Sequence, residues 1–162
     1  MSDDLDKDIY FMRLALEEAT KAYVAGEVPV GAVVTRNGEI LSRAYNLREY
    51  AKDPAAHAEI LSLRASTLKS DSWRLVGSTL YVTMEPCIMC AGALINARIQ
   101  RLVYGCRDPK AGGVDSLYNI LGDTRLNHQI EVTSGVLAHE SSLLLKQFFI
   151  ARRQPGSDAK IH

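Results

Sequence analysis

Thr79 to Met84, Pro86 to about Ala97 and Arg101 to Cys106 read in turn as strand, helix and strand, and this order constrains the fold most. Two strands joined through a helix are expected to pair in parallel. The rest of the chain must supply the other layers. From Lys7 to Ala25, Ile9, Met12, Leu16, Ala19 and Tyr23 recur at helical spacing behind a cluster of aspartates, which predicts an amphipathic first helix ending at Gly26. Val28 to Thr35 and Glu39 to Tyr45 are β-rich and flank Arg36-Asn37-Gly38, a tight-turn signal, so they should form a hairpin. Asp53-Pro54 has the form of a helix cap followed by proline at the first helical position, and the pattern continues through Ile60, Leu61 and Leu68. Farther on, 116–121 is weakly helical, Ile130 to Thr133 is a short strand and Glu140 to Arg153 is an amphipathic helix. The order implies an α/β fold whose mixed sheet carries helices on both faces.

With 162 residues, 47% of them hydrophobic, residues 1–153 are expected to form a single domain and 154–162, with Pro155, Gly156 and Ser157, a disordered tail. Apolar runs such as Val28 to Val34 are far shorter than the roughly 20 residues that span a bilayer, so no membrane is expected. The acidic, polar start and three cysteines that make no disulfide framework suggest the cytoplasm. Formal net charge is zero, so any nucleic-acid surface must be local. Its candidates are Arg98, Arg101, Arg107 and Lys110, with Arg152 and Arg153 near the end.

Two short segments carry the chemistry. His57-Ala58-Glu59 and Pro86-Cys87-Ile88-Met89-Cys90 match the H-x-E plus P-C-x-x-C signature of zinc deaminases. On a helix opening near Pro86, Cys87 and Cys90 lie at i and i+3 on one face, and the first turn favours the thiolates that zinc requires. With a neutral His57 they make three ligands and leave a fourth tetrahedral position for water. In mid-helix, His57 and Glu59 would point about 200° apart, so both belong in a first turn, with Glu59 beside the metal as proton shuttle for zinc-activated water. Backbone N–H groups near Ala58 and Cys87 are placed to steady the developing oxygen. A redox Cys-x-x-Cys gives no reason for the upstream His-x-Glu, and His128 or His139 would have to complete a closed structural site. Cys106 reads as a small buried hydrophobe.

Beyond the zinc segments, Glu27-Val28-Pro29-Val30-Gly31-Ala32, Asn46, Leu80-Tyr81-Val82-Thr83, Asp108-Pro109-Lys110, Ser116-Leu117, Leu126-Asn127-His128 and Phe148-Phe149 resemble the bacterial tRNA-specific adenosine deaminases, within the cytidine deaminase superfamily. The resemblance runs from about Tyr10 to Arg153. It implies a three-layer α/β/α cytidine deaminase-like fold with a mixed five-stranded sheet. It also implies a homodimer with one zinc ion per subunit, converting adenosine to inosine at the wobble position of a tRNA anticodon loop, with RNA and not DNA as natural substrate. Asn46 would then hydrogen-bond the base, Asp108 and Lys110 would touch its ribose and the neighbouring backbone, and Phe149 and Arg152 would line the RNA path. Taken singly these residues have ordinary roles: Asn46 and Asp108 in turns, Lys110 as a surface charge, Phe149 in the core. Ala55 stands where the family is expected to carry threonine, and Gln147 where an acidic residue or threonine is frequent. Two other functions share the zinc residues: a deaminase of a free base or nucleotide such as guanine, cytosine or deoxycytidylate, and a non-catalytic zinc-holding RNA-binding subunit.

Overall fold

The computed structural model describes residues 2–153, and the expected tail at 154–162 lies outside them. Helix α1 (Ser2–Val24) leads into the hairpin of β1 (Gly31–Arg36) and β2 (Glu39–Tyr45), followed by α2 (Arg48–Ala51) and α3 (Ala58–Ser70). Then come β3 (Ser78–Met84), α4 (Ile88–Asn96), β4 (Arg101–Cys106), β5 (Glu131–Thr133) and α5 (Ala138–Arg153). The strands form one five-stranded sheet in the order β2-β1-β3-β4-β5. β1 pairs antiparallel with both β2 and β3, whereas β3 with β4 and β4 with β5 run parallel, which is the mixed sheet expected. At the hairpin tip Asn37 and Gly38 take φ of 54° and 76°, as the Asn-Gly signal requires.

The register sorts the sheet's side chains into two faces. Ala32, Val82 and Tyr104 form one cross-strand row, and Val34, Leu80 and Leu102 another. Both rows pack with Leu63 of α3 and Leu94 and Ile95 of α4. The alternate row, Val33, Tyr81 and Val103, faces Phe11, Met12 and Ala15 of α1. α5 joins α1 on this side, where Tyr23 meets Phe148 with ring centroids 5.8 Å apart. The three-layer α/β/α arrangement follows from this alternation, because side chains of period two need cover on both faces. α1 lies so near β1 that a Cβ on Gly31 would run into the backbone of Ala15 and Ala19. Buried Asp8 fastens it further, accepting 2.8 and 2.6 Å bonds from the two terminal nitrogens of Arg101 and a 3.2 Å bond from the Tyr81 hydroxyl.

Several boundaries depart from the sequence expectation. α1 starts at Ser2, taking Asp3 and Asp4 into its first turn, where the helix dipole favours them. Asp53-Pro54 does not open a helix: Asp53 Oδ1 accepts from the Ala55 N–H at 2.9 Å in a local turn, and α3 begins only at Ala58. Pro86 likewise precedes α4, whose cap is Cys87. Residues 116–121 form turns, bends and irregular chain with no helix, and α2 is an additional short helix that the residue pattern did not suggest.

Candidate active site

The cap residues of α3 and α4 are His57 and Cys87. Both have extended backbones, with φ/ψ of −74°/152° and −73°/177°, and their carbonyls accept the first helical bonds from Leu61 and Ala91 at 3.0 and 2.8 Å. Neither side chain caps its helix, although that is the usual use of the position. The imidazole and the thiol converge instead. His57 Nδ1 lies 3.6 Å from Cys87 Sγ and 3.5 Å from Cys90 Sγ. Tetrahedral zinc with bonds of roughly 2.0 Å to nitrogen and 2.3 Å to sulfur sets such edges at about 3.5 Å. Among the described residues these three are a group of metal-type donors whose ligand atoms all lie within 4.8 Å of one another.

The electrostatics of the donor set ask for a cation. The thiol of Cys90, hydrogen-bonded to Cys87 Sγ, is the main force holding the Cys87 thiol down at about 4; burial opposes it and His57 assists. The same shared bond, burial and the nearness of Glu59 push Cys90 upward. A second thiolate is therefore stable here only beside a positive ion, and the residues fit zinc. His57 is raised, first by its bond to Cys87, and the fully buried Glu59 carboxyl is raised by desolvation. Glu59, in the first turn of α3, stands next to the donors without belonging to the set.

Above these groups opens a cavity of about 720 Å³. His57, Ala58, Glu59 and Cys87 line it at the metal end, with Asn46, Asp108, Lys110 and Phe149 around it. Asn46, buried just after β2, donates from Nδ2 to the Val28 carbonyl and accepts from the Arg48 N–H at Oδ1, both at 3.3 Å. Asp108 Oδ1 accepts from the N–H groups of Lys110 and Ala111 at 3.0 and 3.2 Å. Phe149 is exposed and sits edge-on to Phe148, with ring centroids 5.4 Å apart. Arg152 is not among the lining residues; its guanidinium donates to the Gly26 carbonyl at 2.6 Å and stacks 4.5 Å over Phe148. His128 bonds the Ile99 carbonyl at 2.6 Å, and neither it nor His139 is in the donor group. Cys106 is buried, its thiol pushed up to about 11 by desolvation.

Four residues to which the sequence motifs assign no role shape the same cavity. Arg48 and Lys146 are exposed cations on its lining. Glu27 accepts the N–H groups of Glu49 and Tyr50 at 2.9 and 2.8 Å and so holds the turn that carries Arg48. Glu85 accepts from Asp108, Val114, Asp115 and Ser116. Burial pushes the Glu85 carboxyl up, but bonds from the Ser116 hydroxyl and the Asp115, Ser116 and Asp108 N–H groups outweigh it and hold the group at about 2. An acidic residue at the buried end of β3 was the available signal.

Residues 5–106 match the family described as the cytidine and deoxycytidylate deaminase zinc-binding region. A tRNA-specific adenosine deaminase of Bacillus subtilis (strain 168) is 46% identical over 156 residues, 96% of this chain and 97% of the relative. One from Haemophilus influenzae is 49% identical over 148 residues, 91% and 86% of the two chains. A solved structure from work on A-to-I editing by tRNA:A34 deaminases at the wobble position superposes with a TM-score of 0.81 at 42% identity, covering 83% of this chain and 98% of that one. The guanine deaminase of Nitrosomonas europaea superposes at 0.76 with 27% identity, covering 86% and 83%.

Proposed function

The chain belongs to the family defined by the cytidine and deoxycytidylate deaminase zinc-binding region, and within it we propose that it converts adenosine to inosine at the wobble position of a tRNA anticodon loop. One observation carries the reading: a single cavity has a zinc donor set and a buried carboxylate at one end and Arg48, Lys110, Lys146 and Phe149 about it. Cations and an exposed ring suit a phosphodiester chain and an unstacked base; a free base offers no phosphate for them to meet.

His57, Cys87 and Cys90 would hold the zinc. Zinc so bound supplies a Lewis acid that makes water a nucleophile near neutral pH. Glu59 accepts the proton that the attacking water gives up and delivers it to the ring nitrogen beside the amine-bearing carbon. It then carries a second proton to the exocyclic amine, which leaves as ammonia while the carbon keeps the oxygen. Burial raises the Glu59 carboxyl, which suits a group that must alternately take and release a proton. The N–H groups of Ala58 and Cys87, at the two helix starts on the cavity lining, would steady the carbon's new oxygen. Asn46, anchored through Val28 and Arg48, bonds the edge of the base; Asp108 and Lys110 meet the ribose and backbone, and Phe149 lines the RNA path with Arg152 beyond it.

We read residues 2–153 as one deaminase domain working as a cytoplasmic homodimer. Ile88, Met89, Leu117 and Tyr118 are exposed apolar side chains close to the Gly112-Gly113 turn, and they support a subunit interface. No described helix is long and apolar enough to cross a membrane. Ammonia release from an anticodon stem-loop with a wobble adenosine, compared with free guanine, cytosine and adenosine, tests the substrate. Release from the small molecules alone would overturn the tRNA reading.

A further inference from the structure

We infer that Glu85 is a positioning residue, whose buried carboxylate sets the 108–116 segment, and with it Asp108, against the substrate cavity. The inference rests on the proposal that the deaminated base enters that cavity.

Glu85 leaves the end of β3 two residues before the metal donor Cys87 and is only 3% exposed. Its backbone N–H donates to the Cys106 carbonyl at 2.8 Å, which continues the pairing of β3 with β4. The carboxylate then gathers both ends of one loop. Oε1 accepts from the Asp108 N–H at 3.1 Å and from the Ser116 hydroxyl. Oε2 accepts from the N–H groups of Val114, Asp115 and Ser116 at 3.2, 2.8 and 2.9 Å. A loop outside the strand ladder has no regular partners for these donors, so this acceptor closes it into a ring. Gly112 bridges Cys87, the Gly113 N–H donates to the Pro86 carbonyl at 2.8 Å, and a Cβ on Gly112 would meet the Glu85 carboxylate. The loop is thus built around Glu85 and braced against the start of α4.

Asp108 to Ala111 line the cavity. Asp108 is held at its N–H by Glu85, while Oδ1 takes the Lys110 and Ala111 N–H groups; among the described residues no protein group bonds its Oδ2. Glu85 therefore controls where that oxygen stands, and misplacing a contact by about 1 Å can cost as much as 10²-fold in rate.

The test is a cycle of Glu85→Gln and Asp108→Ala, read as kcat and KM on a wobble-adenosine stem-loop beside zinc content. Glutamine keeps the volume but turns one acceptor into a donor, which must release one end of the loop. The expected result is about one zinc per chain in every variant, with each single change lowering kcat/KM about tenfold or more, chiefly through KM. Asp108→Ala placed on Glu85→Gln should then cost less than about threefold, because the contact is already lost. A purely structural Glu85 would lower the folded fraction and leave the Asp108 effect intact. Multiplicative losses, a wild-type Glu85→Gln or a silent Asp108→Ala would each overturn the inference. Should Glu85→Gln fold poorly, Ser116→Ala removes a single donor and should give a smaller loss with the same dependence on Asp108. Wild-type protein inactive on every stem-loop would count against the tRNA reading instead, and the cycle would then be run on the base it does deaminate.

Discussion

The metal end of the cavity and its walls are built by different means. His57, Glu59, Cys87 and Cys90 ride on the first turns of α3 and α4, whose Ala58, Leu63, Ala91 and Leu94 lie in the core. Two helix starts packed into the core fix these groups, and neither helix is capped by a side-chain hydrogen bond. Of the walls, α5 supplies Leu145, Lys146 and Phe149, while the segment at 47–51 and the loop at 108–116 each hang from one buried carboxylate, Glu27 or Glu85, which are 1% and 3% exposed. Chemistry needs sub-ångström placement, which helices on a packed sheet supply. Recognition can be carried by loops and altered without disturbing the reaction. Changes at the metal end should therefore abolish metal binding or turnover, and changes in the walls should act mainly through KM.

The widest separation is expected at the metal end. Cys87→Ala removes one of the three proposed ligands, so zinc content measured by atomic emission should fall to near zero and deamination with it; full metal content would show that other residues ligate. Next comes Glu59→Ala, which takes away the proposed proton carrier and none of the three metal-type donors. It should retain about one zinc per chain while kcat falls by at least roughly 10²-fold with KM little changed. Turnover at the wild-type rate would exclude Glu59 from the reaction.

The same contrast decides what the sequence made legible. His-x-Glu and Cys-x-x-Cys are local spacings, and local spacing becomes local geometry once a helix start is placed. β2 and β4 begin and end where alternation and turn residues put them, at Glu39–Tyr45 and Arg101–Cys106. Asp53-Pro54 misled because the aspartate's acceptor was used in a turn of its own, leaving His57 as the cap. Residues 116–121 have a weak helical pattern, but the Ile120 N–H that a helix would give to the Ser116 carbonyl goes to Gly113, in a loop gathered by Glu85, 31 residues before Ser116 in the chain. Glu27 likewise reaches a partner 22 residues away. Arg48 and Lys146 come to the cavity from unrelated elements. Such long-range choices have no period or motif in the chain, so tertiary contacts decide them.

Glu27→Ala probes the other wall. It strips the acceptor from the Glu49 and Tyr50 N–H groups and frees the turn carrying Arg48 beside the anchored Asn46. Both bonds are charge-assisted and Glu27 is buried, so the stability cost should be about 2–3 kcal/mol, moderated by water reaching the two amides. Activity should fall about tenfold in kcat/KM, nearly all of it in KM, with zinc intact. A fall confined to kcat would erase the distinction between the walls and the metal end.

Tyr104→Phe should have the smallest effect and is the sharpest check on how the second wall is hung. The buried Tyr104 donates its hydroxyl to Asp115 Oδ2, which lies in the same loop that Glu85 gathers. Phenylalanine keeps the ring in the row with Ala32 and Val82 and deletes one bond, leaving the Asp115 N–H on Glu85. If the loop depends on the carboxylate, losing an auxiliary bond should cost about 1 kcal/mol of stability and less than threefold in kcat/KM. Steady-state kinetics beside thermal unfolding would measure both. A loss as large as that from Glu85→Gln would mean that the loop is held by a distributed network, and the contrast would then lie between regular and irregular backbone, with no special place for the two buried carboxylates.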